Sequence, residues 1–376
     1  MNGMTVLLLV AVSFLGVLPA RVLGDQTMAF TPDDKALLET PALVAAIHHL
    51  AEPRPGELLL AGQRLDHVSA LVASEYRGVL QYHRAFALAR AGNFEQAIAL
   101  SDKFGTEFAP MPEGLWLNLE LSAAGLDEVS SKKRWAIEDR LGLILPVGRW
   151  GSLRDARLEE KRAEAANRPP CDAGKPVIPV IDGERLKAIA AQFAGMRMLN
   201  EASRATREAI YIELNPPSFA QRGDETWISA DAAPLWHTAA ECDAQLGRRG
   251  LALQALLMAV ASDSAQQNFA NDLITKMLES KVEAPASRAS ADGLKRVIDL
   301  YAKSSLHPRA LSLLDKTALI PDLEKVSLRA SLTKEWAELV GQYNTVVRGG
   351  GVLFGQALSE VAAEKLVAPQ YDPSAK

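Results

Sequence analysis

The sequence predicts an all-α protein of stacked antiparallel helical hairpins, on three observations. Ala and Leu, 60 and 53 of the 376 residues, make up about 30% of the chain, and both rank high in helix propensity. Aromatic residues, which favour strands, reach only 6%. Apolar side chains recur at helical spacing through most of the sequence, broken by short turns that carry Gly or Pro. With 48% hydrophobic and 23% charged residues the composition is that of a globular chain, long enough for two helical halves.

The chain opens on an uncharged apolar run, Thr5 to Ala20, shorter than the ~20 residues a spanning helix needs. Val22-Leu23-Gly24 then sets modest side chains at −3 and −1 of a cleavage site before Asp25, so 1–24 reads as a signal peptide. Met1–Met4 lacks the usual Lys or Arg of such a leader. Cleavage removes one charged side chain, Arg21, and takes the formal charge from −5 to −6. The expectation is an exported protein, periplasmic or extracellular, with no stable membrane span once the leader is gone.

Residues 25–167 read as an N-terminal helical repeat region. Thr31-Pro32-Asp33-Asp34 offers a cap, a Pro at the first helical position and acids in the first turn. Helical segments follow at Pro41–Leu50, from Glu57, at Gly78–Ala91 and from Phe94, with Gly92-Asn93 as the turn between the last two. A longer pattern covers Leu115 to Leu145, and the charged stretch Asp155–Asn167 reads as a solvated helix. Residues 168–182 are rich in Pro and Gly and form a linker, with Val177–Ile181 the one stretch fit for an extended edge. The C-terminal helical region, 183–367, holds segments at Gly183–Glu213, Ala233–Val260, Ser264–Lys281, Ala291–Lys303, Pro308–Lys316 and Pro321–Val347. A polar, Pro-containing tail occupies 368–376.

Three hairpins share a spacing. The first runs from Ala85 through Leu88, Gly92 and Phe94 to Ala97-Ile98; the second from Trp236 and Ala240 through Gly247 to Ala252-Leu253. The third has Tyr301, Ser305, Ala310-Leu311 and Leu314. A small Ala early on each second helix permits close approach, and Gly at a turn adopts positive φ without strain. This pattern resembles the tetratricopeptide repeat, most fully in the ALARAGNFEQAIAL stretch; Arg249 replaces the aromatic in the second hairpin, and the third lacks the Gly. The resemblance implies an α-solenoid whose concave groove, lined by the first helix of each hairpin, holds a piece of another protein. Here those helices carry Tyr82 and Phe86, then His237 and Glu241, then Lys295 and Asp299 with Arg296 beside Lys295. Tyr82 and Phe86 read either as apolar anchors in the groove or as core residues. Only Lys295 and Arg296 suit the carboxylate clamp of some relatives, so a receptor for carboxylate tails is unsupported.

Catalytic signatures are missing from the sequence. His48-His49 point about 100° apart on a helix, and no H-E-x-x-H, G-x-S-x-G or phosphate-loop pattern occurs. Arg348-Gly349-Gly350-Gly351 reads as a flexible joint, and the six Trp residues read mainly as packing groups. A pI near 5.8 without a basic block argues against nucleic acid. No cofactor or metal is expected. In an oxidising compartment Cys171 and Cys242 can close a loop of about 70 residues, worth about 4 kcal/mol in the chain-entropy model. Cys242 reads equally as a small buried hydrophobe. The expected function is that of an exported, non-enzymatic scaffold or adaptor that binds another protein or peptide. A secreted enzyme with its site in a groove between the halves, and a membrane-tethered assembly factor, are the alternatives.

Overall fold

The computed structural model describes residues 54–72, 74–104, 107, 111–123, 136–141, 161, 164–167, 183–213, 226–279 and 281–348. All regular elements among them are helical. The leader, the first predicted helices, the linker with Cys171 and the C-terminal tail lie outside the described residues. In chain order the helices are α1 Pro55–Leu71, α2 Ser74–Arg90, α3 Phe94–Ser101, α4 Pro112–Ala123, α5 Gly183–Gly195 and α6 Leu199–Glu208, then α7 Ala233–Gln245, α8 Arg249–Ser262, α9 Gln267–Leu278, α10 Ala291–Lys303, α11 His307–Lys316 and α12 Asp322–Arg348. A π-helical turn, Ala209–Glu213, extends α6, and a 3₁₀ turn, Thr226–Ile228, precedes α7.

Four hairpins turn in the same way. One residue adopts positive φ: Gly92 (83°), Arg197 (54°), Gly247 (70°) and Ser305 (60°). Its N–H donates three residues back, to Ala89, Ala194, Ala244 and Ala302 in turn. The following N–H donates five residues back, to the carbonyls of Leu88, Phe193, Asp243 and Tyr301 at 2.8–3.0 Å. These paired bonds are the Schellman closure, which satisfies carbonyls that a helix end leaves open. The residue that ends each closure also begins the next helix: its carbonyl accepts from Ala97, Ala202, Ala252 or Ala310. All four alanines are buried.

The α5–α6 hairpin was not visible as such in the sequence, where Gly183–Glu213 reads as one helix. Its turn, Met196-Arg197-Met198, contains neither Gly nor Pro. Arg197 accepts a left-handed backbone that costs an ordinary L-residue about 1–2 kcal/mol, and the two turn hydrogen bonds offset that cost.

Chain order is not spatial order. α2, which pairs with α1 and α3, also packs on α8; α7 packs on α6, and α5 on α10. The hairpins therefore stack as α2–α3, α7–α8, α5–α6, α10–α11, with α12 against α11. One hydrophobic core joins α1–α4 to α7–α9, and a second lies among α5, α6, α10, α11 and α12. α10 approaches the α5–α6 turn closely at Gly293: a Cβ there would fall 2.5 Å from Met196 Sδ, so the methionine side chain would have to shift.

The shared register predicts that Ala202→Glu, on the hairpin hidden in the sequence, destabilises as severely as Ala97→Glu or Ala252→Glu. Each change overpacks a helix contact and buries an unpaired charge, at about 3–5 kcal/mol. Thermal melting of the three variants checks this; an unchanged midpoint for any one shows that its hairpin is misregistered.

Candidate functional site

The position four residues before each positive-φ residue holds Leu88, Phe193 and Tyr301 in three hairpins and Asp243 in the fourth. Asp243 is 0% exposed. A carboxylate at a core position must be paired, and α6 supplies the partners. Ser203 Oγ donates to Asp243 Oδ1 at 2.7 Å, while Arg207 Nη2 and Nε donate to Oδ2 at 2.7 and 3.3 Å. Arg207 also donates to the Leu251 carbonyl at 3.0 Å and to the Tyr211 hydroxyl at 3.2 Å. Tyr211 in turn donates to Glu113 on α4. Burial alone lowers the pKa of Arg207; Asp243, with Tyr211 and Glu113 beyond it, outweighs this and raises it, so the guanidinium stays charged. Burial, reinforced by Glu113, raises the Tyr211 pKa well above its ordinary value.

Aromatic side chains surround this network. Phe86 meets Trp116, Trp116 meets Trp227, Trp227 meets Tyr211 and Tyr211 meets Trp236, with ring centroids 5.2–6.2 Å apart. Trp236 Nε1 donates to the Trp227 carbonyl at 2.6 Å, which pins the 3₁₀ turn to α7. Trp116, Trp227, Trp236 and Trp336 are all buried, in keeping with a packing role; Trp135 and Trp150 lie outside the described residues.

A second buried polar group lies where α2 meets α8. His83 is fully buried with neither ring nitrogen hydrogen-bonded, and both amide atoms of Gln254 are likewise unpaired. Burial pushes the His83 pKa down to about 3; the neighbouring Gln254 offsets part of that shift, though no standard hydrogen bond closes between them.

The third feature is an open cleft of about 420 Å³ between the α10–α11 turn and α12, lined by Asp299, Lys303, His307, Glu335 and Glu338 among others. His307 Nε2 lies 3.3 Å from Glu335 Oε2, whose other oxygen accepts from Ser331 at 2.9 Å. Burial lowers the His307 pKa, against the pull of Glu335. Lys303 is neutralised by Asp299 at 2.7 Å.

The six residues expected along a groove do not form one set. Tyr82 and Phe86 are 0% and 1% exposed. They stack on each other at 5.9 Å, so they are core residues, and the expectation that they present a surface is corrected. Their turn of α2 lies under α4 and α8, which sequence spacing could not reveal. His237 stacks on Phe269 of α9, and its ring nitrogens face Gln266 at 3.1 Å and Glu241 at 3.7 Å. The Glu241 carboxylate raises the His237 pKa, against the opposing effect of partial burial. Lys295 bridges to Glu324 on α12 at 2.6 Å, and Arg296 is exposed. Cys242 is buried, which pushes its thiol pKa up to about 11; Cys171 lies outside the described residues. No described group of His, Cys, Asp and Glu could hold a metal ion. Comparison with family models, curated proteins and solved structures finds no match.

His83 makes the fold sensitive to acid. With a folded pKa near 3 against 6.5 in the unfolded chain, the unfolded state binds more protons below 6.5, and stability falls as pH falls from there. The loss approaches about 1.4 kcal/mol per pH unit. Melting midpoints from pH 7 to pH 4 are expected to drop more steeply for the native chain than for His83→Phe. Parallel curves would show that His83 is solvated.

Proposed function

We propose that this chain is an exported, non-enzymatic scaffold whose stacked hairpins hold a segment of another protein. The observation that carries the reading is the fourfold repeated hairpin. One turn geometry and one buried Ala recur in four units packed face to face. Stacked helical hairpins of this kind extend a surface unit by unit, and a long shallow surface suits a polypeptide better than a small substrate. The tetratricopeptide-like spacing of the hairpins agrees with this reading. On the outer rows, Glu241 and Arg296 keep their side chains in solvent. They are the polar contacts we assign to the partner in place of Tyr82 and Phe86.

One observation favours the rival reading of an enzyme: the cleft at His307, where a buried imidazole meets a carboxylate. The export component rests on the N-terminal sequence alone. No described helix is long and apolar enough to cross a membrane.

Affinity capture of the tagged protein from the native cell envelope, with N-terminal sequencing, tests the proposal. The expected result is a chain beginning at or near Asp25 with a co-purifying protein. That protein is lost in Glu241→Lys/Arg296→Glu at an unchanged melting midpoint. Recovery of Met1, or a catalytic turnover that His307→Ala abolishes in a chain without a bound protein, would overturn it.

A further inference from the structure

The most exposed large apolar side chains among the described residues lie together on α12. Leu323 is 90% exposed and Val326 69%. Leu332 and Trp336, further along the same helix, are buried against the body. The outer face begins with Leu323, Val326 and Ala330, spaced by three and then four residues, which is the spacing of a helix–helix seam. Ser327, Ala330 and Ser331 beside it are small and exposed, so another helix can approach closely. An apolar strip left in water at the edge of a stack marks an interaction surface.

We propose that this strip pairs with the same strip of a second copy of the chain, with the two α12 helices antiparallel about a twofold axis. The charges beside the seam select this occupant. When Leu323 lies against Val326 of the second copy, heptad geometry sets Asp322 opposite Arg329 of that copy, and the twofold axis makes the pair twice. The Asp322 carboxylate is fully solvent-exposed and is 3.8 Å from Lys325. Arg329 is bound to Asp315 of α11, with both side chains still about half exposed, so its guanidinium is within reach of a second carboxylate. A parallel pairing would instead set Arg329 beside Lys334 of the second copy, like charge against like. One face thus complements itself in one direction only. This inference does not rest on the scaffold reading, whose assigned partner contacts lie on α7 and α10 while the strip lies on α12.

Sedimentation of the purified chain over a wide concentration range tests the pairing. The weight-average mass is expected to rise toward twice that of the monomer. Leu323→Glu or Val326→Glu should weaken the dimer by about tenfold or more, through lost apolar burial, while leaving the melting midpoint of the dilute monomer unchanged. Asp322→Arg and Arg329→Asp should each weaken it, and the double exchange should restore it. Mixed Leu323→Cys and Val326→Cys copies should cross-link to each other in preference to like with like, which reports the antiparallel register. A monomer at every concentration, including one in which another segment of the same chain covers the strip, overturns the proposal. So does a dimer indifferent to both glutamates.

Discussion

The contact on which the stack depends is the buried pair of Asp243 and Arg207. It joins α7 to α6, at the place where the two hydrophobic cores meet. Asp243 takes a position that apolar side chains fill in the other hairpins, and removing a carboxylate from water costs several kcal/mol per ion unless its charge is met. Arg207 meets it with two donors, Ser203 adds a third, and Arg248 Nη1 stands 3.7 Å away on the solvent side. An apolar pair of matching volume could stabilise as well. A charged pair in this position adds selectivity, because Asp243 is satisfied only when the α5–α6 hairpin docks with Arg207 toward it. That requirement suits a stack whose spatial order departs from chain order. The remaining donors of Arg207 carry the link through Tyr211 to Glu113, so three helices from distant parts of the sequence share one network.

Around this network the architecture is repetitive. Each hairpin closes with the same two backbone bonds, and each closure also starts the next helix. The turn is thus closed by backbone bonds whatever the side chains at it. Further ties cross the stack: Arg309 of α11 reaches Glu208 at the end of α6 at 2.6 Å, and the Arg288 N–H donates to the Met196 carbonyl at 2.7 Å. The second tie anchors the connector ahead of α10 to the turn of the α5–α6 hairpin.

Much of the fold was legible because it rests on local chemistry. Apolar spacing, Gly92 and Gly247 located the turns of two hairpins, though the first helix of the earlier one begins at Ser74 and not at Gly78, and the buried alanines Ala97 and Ala252 fell where that register required. Ala291–Lys303 has the bounds its periodicity predicted. The hidden hairpin shows the limit: Arg197 adopts positive φ because tertiary packing and two hydrogen bonds compel it, and no turn residue announces this. The site was less legible because burial depends on neighbours distant in the chain. Tyr82 and Phe86 have the amphipathic spacing of a surface anchor, and only the packing of α8 and α4 over them makes them core. Asp243 carried a signal that could have been read. Aligning the third and fourth residues ahead of each turn leaves one acid among apolar side chains.

A double-mutant cycle on Arg207 and Asp243, read as unfolding free energy, tests the central claim most directly. Arg207→Met alone and Asp243→Leu alone each leave a buried charge without its partner, and each is predicted to cost about 3–5 kcal/mol. The double variant, with no charge left to satisfy, is predicted to be markedly more stable than either single one, which requires a coupling energy larger than the greater of the two single costs. Costs that simply add, with the double variant the least stable of the three, would contradict the account.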